Sequence, residues 1–163
     1  MKKLITLFLA ILMLFSVTAC NAGISDARQC LESYTKALIS NDYESAYDML
    51  SAFDKGNITS EKFVQWQTMA SKMIKVESFE IDKKTDKFNN YEYMGAKFKK
   101  AYGFRVLRVQ KELLPEIKTN GYDSKDYRIM VVEEAGACRI ALLVTNLEEM
   151  LQYYSRQLEE KAE

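Results

Sequence analysis

The sequence predicts an α+β fold, with N-terminal helices packed on one face of a curved antiparallel sheet and a further helix closing the chain. Three observations carry this reading. Apolar residues recur at three- and four-residue spacing up to Met73 and at every second position beyond it. Turn signals, Gly95 and Glu134-Ala135-Gly136, separate the alternating runs. Helical spacing returns only after Asn146. Helices gathered ahead of the strands, rather than alternating with them, disfavour a parallel sheet.

The first helix spans Ser25 to Ile39, where Ala27, Cys30, Leu31, Tyr34, Ala37 and Leu38 share one face. Asn41 to Glu44 has the form of a capping box, and Tyr43, Ala46, Tyr47, Leu50 and Phe53 carry the spacing on through a second helix. Gly56-Asn57 interrupts it. Thr59 or Ser60 then caps a third helix with Phe63, Trp66, Ala70 and Met73 on its apolar face.

The strands follow directly. Ile74 and Val76, then Phe79 and Ile81, alternate with a one-residue slip at Glu77-Ser78 that predicts a bulge. Asp82 to Asn90 is polar and reads as a turn. Tyr91 and Tyr93 precede Gly95, after which Phe98, Tyr102, Phe104 and Val106 fall on even numbers while Lys97, Lys99 and Arg105 face the other way. Leu114 to Lys125 holds the only Pro and reads as a loop. Tyr127, Ile129 and Val131, then Ile140, Leu142 and Val144, form the last hairpin. Leu147, Met150, Leu151, Tyr154 and Leu158 lie on one stripe of a final helix from Asn146 to Lys161.

Composition excludes several chemistries. The 163 residues contain no His, which removes Ser-His-Asp and Cys-His catalysis and His-ligated zinc. Phosphate loops, dinucleotide glycines, calcium loops and HExxH are absent from the sequence, so no cofactor and no metal is implied.

The N-terminus reads as a targeting segment. Lys2 and Lys3 precede the apolar run Leu4 to Phe15, and no charge follows until Asp26. A membrane-spanning helix needs about 20 predominantly apolar residues, more than this run supplies. Val17-Thr18-Ala19-Cys20 resembles the lipobox of bacterial lipoproteins, in which small residues precede a Cys that becomes the acylated mature N-terminus. The resemblance implies residues 1–19 as a cleaved signal, lipidation at Cys20, a short linker over 20–25 and one domain over 26–163, anchored on the extracytoplasmic side of the cell membrane. An ordinary cleaved signal ending at Ala19, with Cys20 left as a thiol, is the alternative. Residues 20–163 carry 21 Lys and Arg against 23 Asp and Glu.

Cys30 and Cys138 remain, 108 residues apart and with no CxxC in the chain. They read first as buried thiols. A disulfide is chemically allowed outside the cytosol, but spacing cannot show that the two Cα atoms approach within the ~4.4–6.8 Å a bridge needs.

The stretch from Tyr34 through Asn41-Asp42-Tyr43-Glu44, Ala46-Tyr47 and Ser60-Glu61-Phe63 resembles the opening helices of nuclear transport factor 2-like cone domains. Val131 to Ile140 is similar to their last hairpin, with Cys138 standing where an aromatic residue, often Trp, is common. The resemblance covers Asp26 to Val144, leaves the last helix as an addition, and implies a pocket between helices and bent sheet. Some relatives are isomerases or hydratases, and others are non-catalytic accessory domains.

Three classes of function follow as expectations. A binding module for a small apolar ligand would line its pocket with Tyr34, Tyr47, Trp66, Tyr93, Tyr102 and Phe104, although the same rings also suit a packed core. An enzyme would need a carboxylate base and a proton donor converging in an apolar cavity, for which Asp48 with Tyr34, Tyr93 or Tyr102 are the available types. An interaction protein would offer an envelope partner an apolar patch, with the last helix as the candidate. Lys97, Lys99, Lys100, Arg105, Arg108 and Lys111 read as a solvated strand face or as a contact with anionic lipid or wall polymer. Export and near-neutral charge argue against nucleic acid as a partner.

Overall fold

The computed structural model of the chain describes residues 23–112, 126–144 and 147–159. Cys20 and the lipobox, the segment read as a loop between Leu114 and Lys125, and the cap at Asn146 lie outside the described residues. The described part is α+β: four helices, a four-stranded antiparallel sheet and a C-terminal helix.

Helix α1 (Ile24–Ile39) buries Ala27, Leu31, Tyr34, Thr35 and Ala37. It stops where Asn41 adopts a left-handed φ of 58° and the Asp42 N–H closes back on the Ala37 carbonyl at 2.9 Å. Asp42 then caps α2 (Tyr43–Asp48), its carboxylate accepting from the Ser45 N–H at 3.2 Å.

The single second helix predicted through Phe53 is instead two. Leu50 forms a parallel bridge with Ile140, in which Ile140 N–H donates to the Met49 carbonyl at 2.9 Å and Ser51 N–H to the Ile140 carbonyl at 2.7 Å. These sheet-type bonds hold the backbone extended, and Ser51 starts a new helix, α3 (Ala52–Asn57). Helix α4 (Ser60–Met73), capped by Thr59, passes without a loop into the first strand.

The sheet is a meander of β1 (Ile74–Tyr93), β2 (Ala96–Glu112), β3 (Asp126–Glu134) and β4 (Ala137–Ala141). The bulge expected at Glu77-Ser78 appears as a register break between Val76 and Ser78, and a second break lies between Ile81 and Thr85. The polar stretch Asp82–Asn90 is strand rather than turn, because Thr85 through Asn89 pair in unbroken register with Phe104 through Lys100. The chain reverses at Met94-Gly95 and again at Ala135-Gly136, each pair holding positive φ at both positions as tight hairpins require. Strand β4 ends at Ala141, short of Leu142 and Val144. Helix α5 (Leu147–Glu159) buries Leu147, Met150, Leu151 and Tyr154.

Alternation along the strands separates two apolar clusters. Tyr102, Phe104, Val106, Ile129, Val131 and Ile140 pack against α1, α2 and α4. Ala101, Met130, Val132 and Ala141 collect instead with Phe53 of α3 and with Phe88, Tyr91 and Phe98 of the distal hairpin. Phe98 thus leaves the even-numbered set, in the part of the hairpin where Asn90, at φ 52°, interrupts the facing strand.

Candidate functional site: a cavity between helices and sheet

The core is not filled at one end. Helix α1 terminates at Ile39, α4 runs on into β1, and β4 stops at Ala141, so the elements diverge around a cavity of about 770 Å³. Tyr34 and Leu38 of α1, Trp66 and Ala70 of α4, Val76 and Phe79 of β1, and Leu142 and Val144 after β4 supply its apolar wall, and Asn41, Gln67, Thr68 and Ser71 add neutral polar groups. Its size lies within the usual range for small-molecule sites.

One wall hangs from a buried carboxylate. Asp54 of α3 has no exposed surface. It accepts from the Ser51 hydroxyl at 2.6 Å, from Leu142 N–H at 3.0 Å and from Leu143 N–H at 2.8 Å. Leu143 is bent to φ 58° to make this bond. Burial raises the Asp54 pKa, and the Ser51 and backbone hydrogen bonds pull partly against it. Its role is to fix the chain as it leaves the sheet. The Ser51-x-x-Asp54 spacing of a helix cap was the one sequence signal for it.

Two phenols and a guanidinium border the cavity. Tyr34 is 2% exposed and faces it, yet its hydroxyl makes no hydrogen bond to a described residue. Tyr127, half-buried on β3, likewise has no such bond. Burial pushes the Tyr34 phenol well above its ordinary pKa, with Tyr127 a further cause. Tyr127 rises to about 12, again through burial, against the pull of nearby Arg108. Both phenols are therefore neutral donors at pH 7. Arg108 of β2 completes the group.

The six sequence-predicted lining residues separate. Tyr34 and Trp66 border the cavity. Tyr47 donates to the Ile58 carbonyl at 3.0 Å and packs its ring 5.8 Å from Phe63. Tyr102 and Phe104 are buried in the inner core, Phe104 beneath the Arg28 guanidinium at 5.4 Å. Tyr93 ends β1 beside the Met94-Gly95 turn, remote from the cavity wall. Asp48 is exposed and off the wall, and no Asp or Glu stands among the described lining residues.

The basic residues do not form one solvated face. Lys100 is half-buried and 3.2 Å from Glu133, Arg105 chelates Asp126 through Nε at 2.9 and 3.1 Å, and Arg108 lines the cavity. Cys30 and Cys138 are both free thiols, with Cys30 Sγ donating to the Cys138 carbonyl at 3.5 Å. No disulfide joins them. Burial raises both thiol pKa values, Cys30 to about 11, which leaves them poor nucleophiles.

Among the described residues no cluster of His, Cys, Asp or Glu could hold a metal, and no helix is long and apolar enough to cross a membrane. Tyr127 and Arg108 were missed as cavity residues, because strand alternation tells which face a residue joins and not where that face is left open. No protein-family model matches the chain, and no curated protein matches it.

Proposed function

We propose that this chain is a lipid-anchored protein of the bacterial cell envelope whose domain binds a small, largely apolar ligand without transforming it. The observation that carries the binding reading is the cavity of about 770 Å³ bordered by Trp66, Leu38, Val76 and Leu142, with the buried Tyr34 hydroxyl facing it. That hydroxyl makes no hydrogen bond to a described residue, so it can donate to an acceptor on a cavity occupant.

The finer fold assignment, a nuclear transport factor 2-like cone, belongs to the same proposal. It is supported by the order of helices before an antiparallel meander, by the helices covering the inner face, and by the cavity between the two layers. The anchor rests on Val17-Thr18-Ala19-Cys20 after the apolar run. At least two acyl chains, at ~0.8 kcal/mol per buried methylene, would hold the protein at the membrane without a spanning helix.

Two measurements test the proposal. An alkyne-tagged fatty acid fed to a bacterium expressing the full chain labels the wild type and not Cys20→Ser; equal labelling of both removes the anchor. Native mass spectrometry of the full chain released from lipid nanodiscs should show a reproducible added mass of a few hundred daltons. Ala70→Trp, which sets an indole into the cavity, should lower the fraction of protein carrying that mass. A bare protein mass for both variants removes the binding reading.

A further inference from the structure

We propose that the cavity selects an amphiphile with a single anionic head, the head seated at Arg108, Tyr34 and Tyr127 and the apolar body lying along Trp66, Val76 and Leu142. This rests on the ligand-binding reading and adds the chemical class of the ligand.

The argument begins with charge. Arg108, Lys75 and Arg128 belong to residues lining the cavity, and no carboxylate does among those described. Two of the three cations turn elsewhere. Lys75 is exposed between Ile74 and Val76, the residues that alternation directs to the cavity side. Arg128 passes over Gly103 and pairs with Asp86 at 2.8 Å. Arg108 shares the even-numbered side of β2 with Phe104 and Val106, which face the helices. It already makes a polar interaction within the fold, and a guanidinium with five N–H donors retains capacity for another.

The phenols supply the rest of the head site. Tyr127 is paired with Val106 of β2, so Arg108, two residues along on the same side of that strand, is its diagonal neighbour on the face where Tyr34 also borders the cavity. Both hydroxyls stay protonated at neutral pH and have no acceptor among the described residues. A cation flanked by two neutral donors is complementary to a carboxylate, sulfonate or phosphate oxygen and mismatched to an ammonium. Asp54 is off the cavity wall, with its oxygens occupied by Ser51, Leu142 and Leu143. The remaining wall mixes apolar side chains with the neutral polar Asn41, Gln67, Thr68 and Ser71, and its apolar part favours an apolar body over a free inorganic anion.

Trp66 is the only Trp in the chain and stands on the cavity wall, so energy transfer from it reports occupancy of this site. The full chain in lipid nanodiscs is titrated with anilinonaphthalenesulfonate and with its uncharged counterpart phenylnaphthylamine, reading Trp66 emission. The expected result is transfer to both, with the sulfonate bound at least roughly tenfold tighter, as a charge-assisted hydrogen bond provides. Arg108→Gln should erase that preference, and an unchanged far-ultraviolet circular dichroism spectrum and urea midpoint report an intact fold. Arg108→Lys should keep the preference. Equal affinities in the wild type, or a preference that survives Arg108→Gln, would overturn the ligand class while transfer to the uncharged probe upholds the cavity. Transfer to neither probe would overturn the binding reading itself.

Discussion

The outer cluster of the sheet and the open end of its inner face use the same kinds of side chain and reach opposite results. On the outer face Phe88 meets Tyr91 at 5.6 Å and Tyr91 stacks on Phe98 at 6.3 Å. The packing is close enough that a Cβ on Gly103 would stand 3.2 Å from Arg128 Cδ and 3.3 Å from Met130 Sδ. On the inner face Tyr34 and Trp66 border a space of about 770 Å³. Aromatic content therefore does not decide whether a core is filled. What decides it is whether the backbone elements converge, and α1, α4 and β4 do not converge beyond Ile39, Met73 and Ala141.

The contrast breaks or holds under substitution. Phe98→Ala should cost about 3–5 kcal/mol in urea unfolding, the value for deleting a buried aromatic ring; a loss below about 1 kcal/mol would mean that the outer cluster is loose as well. Asp54→Ala should cost about 2–4 kcal/mol, because Ser51, Leu142 and Leu143 lose their acceptor together. It should also raise amide exchange at Leu142 and Leu143. Ala70→Leu should stabilise by about 0.5–1 kcal/mol, since it adds carbon to an empty wall rather than to a packed one. Tyr34→Phe should move the unfolding free energy by no more than about 0.5 kcal/mol in the ligand-free protein, as its hydroxyl has no hydrogen-bond partner among the described residues.

The pH dependence sharpens the same contrast between buried and exposed groups. Asp54 has a folded pKa raised by burial, so its contribution is full below the ordinary aspartate value of about 3.9 and is lost as pH rises through the raised value. Asp126, held down by the Arg105 hydrogen bond, contributes above its ordinary value and loses that contribution as pH falls through the lowered one. The stability of the wild type relative to Asp54→Asn should therefore increase between about pH 7 and about pH 4. A flat or opposite difference in denaturant midpoints would show that the hydrogen bonds outweigh burial at this carboxyl.

Residue spacing makes much of the architecture readable and stops short of the site. Helices α1, α4 and α5, the hairpin turns and the Glu77-Ser78 bulge are local properties of the chain, expressed in periodicity and turn chemistry. The break between α2 and α3 is not local. It follows from Leu50 pairing with Ile140, ninety residues later in the chain, while the apolar spacing through Leu50 and Phe53 runs on as if one helix continued. The strand over Asp82–Asn90 was hidden for a related reason: much of it is exposed or half-buried, so its solvent-facing composition imitates a turn. Trp66 and Tyr34 could be named as cavity candidates from their chemistry. Tyr127 and Arg108 could not, because their place depends on where three separate elements end.

Strand β1 has one further consequence. Among the described residues it pairs only with β2, so twenty residues of backbone present their other side outward. A long, flat, apolar border of that kind would recruit the same segment from a neighbouring molecule and extend into a shared sheet. This one is guarded. Its two register breaks bend the border, and exposed Lys75, Glu77, Glu80, Asp82, Lys83, Lys84 and Lys87 make it charged rather than apolar. The irregularities that make β1 hard to read are thus what keep crowded copies of the protein from polymerising through it.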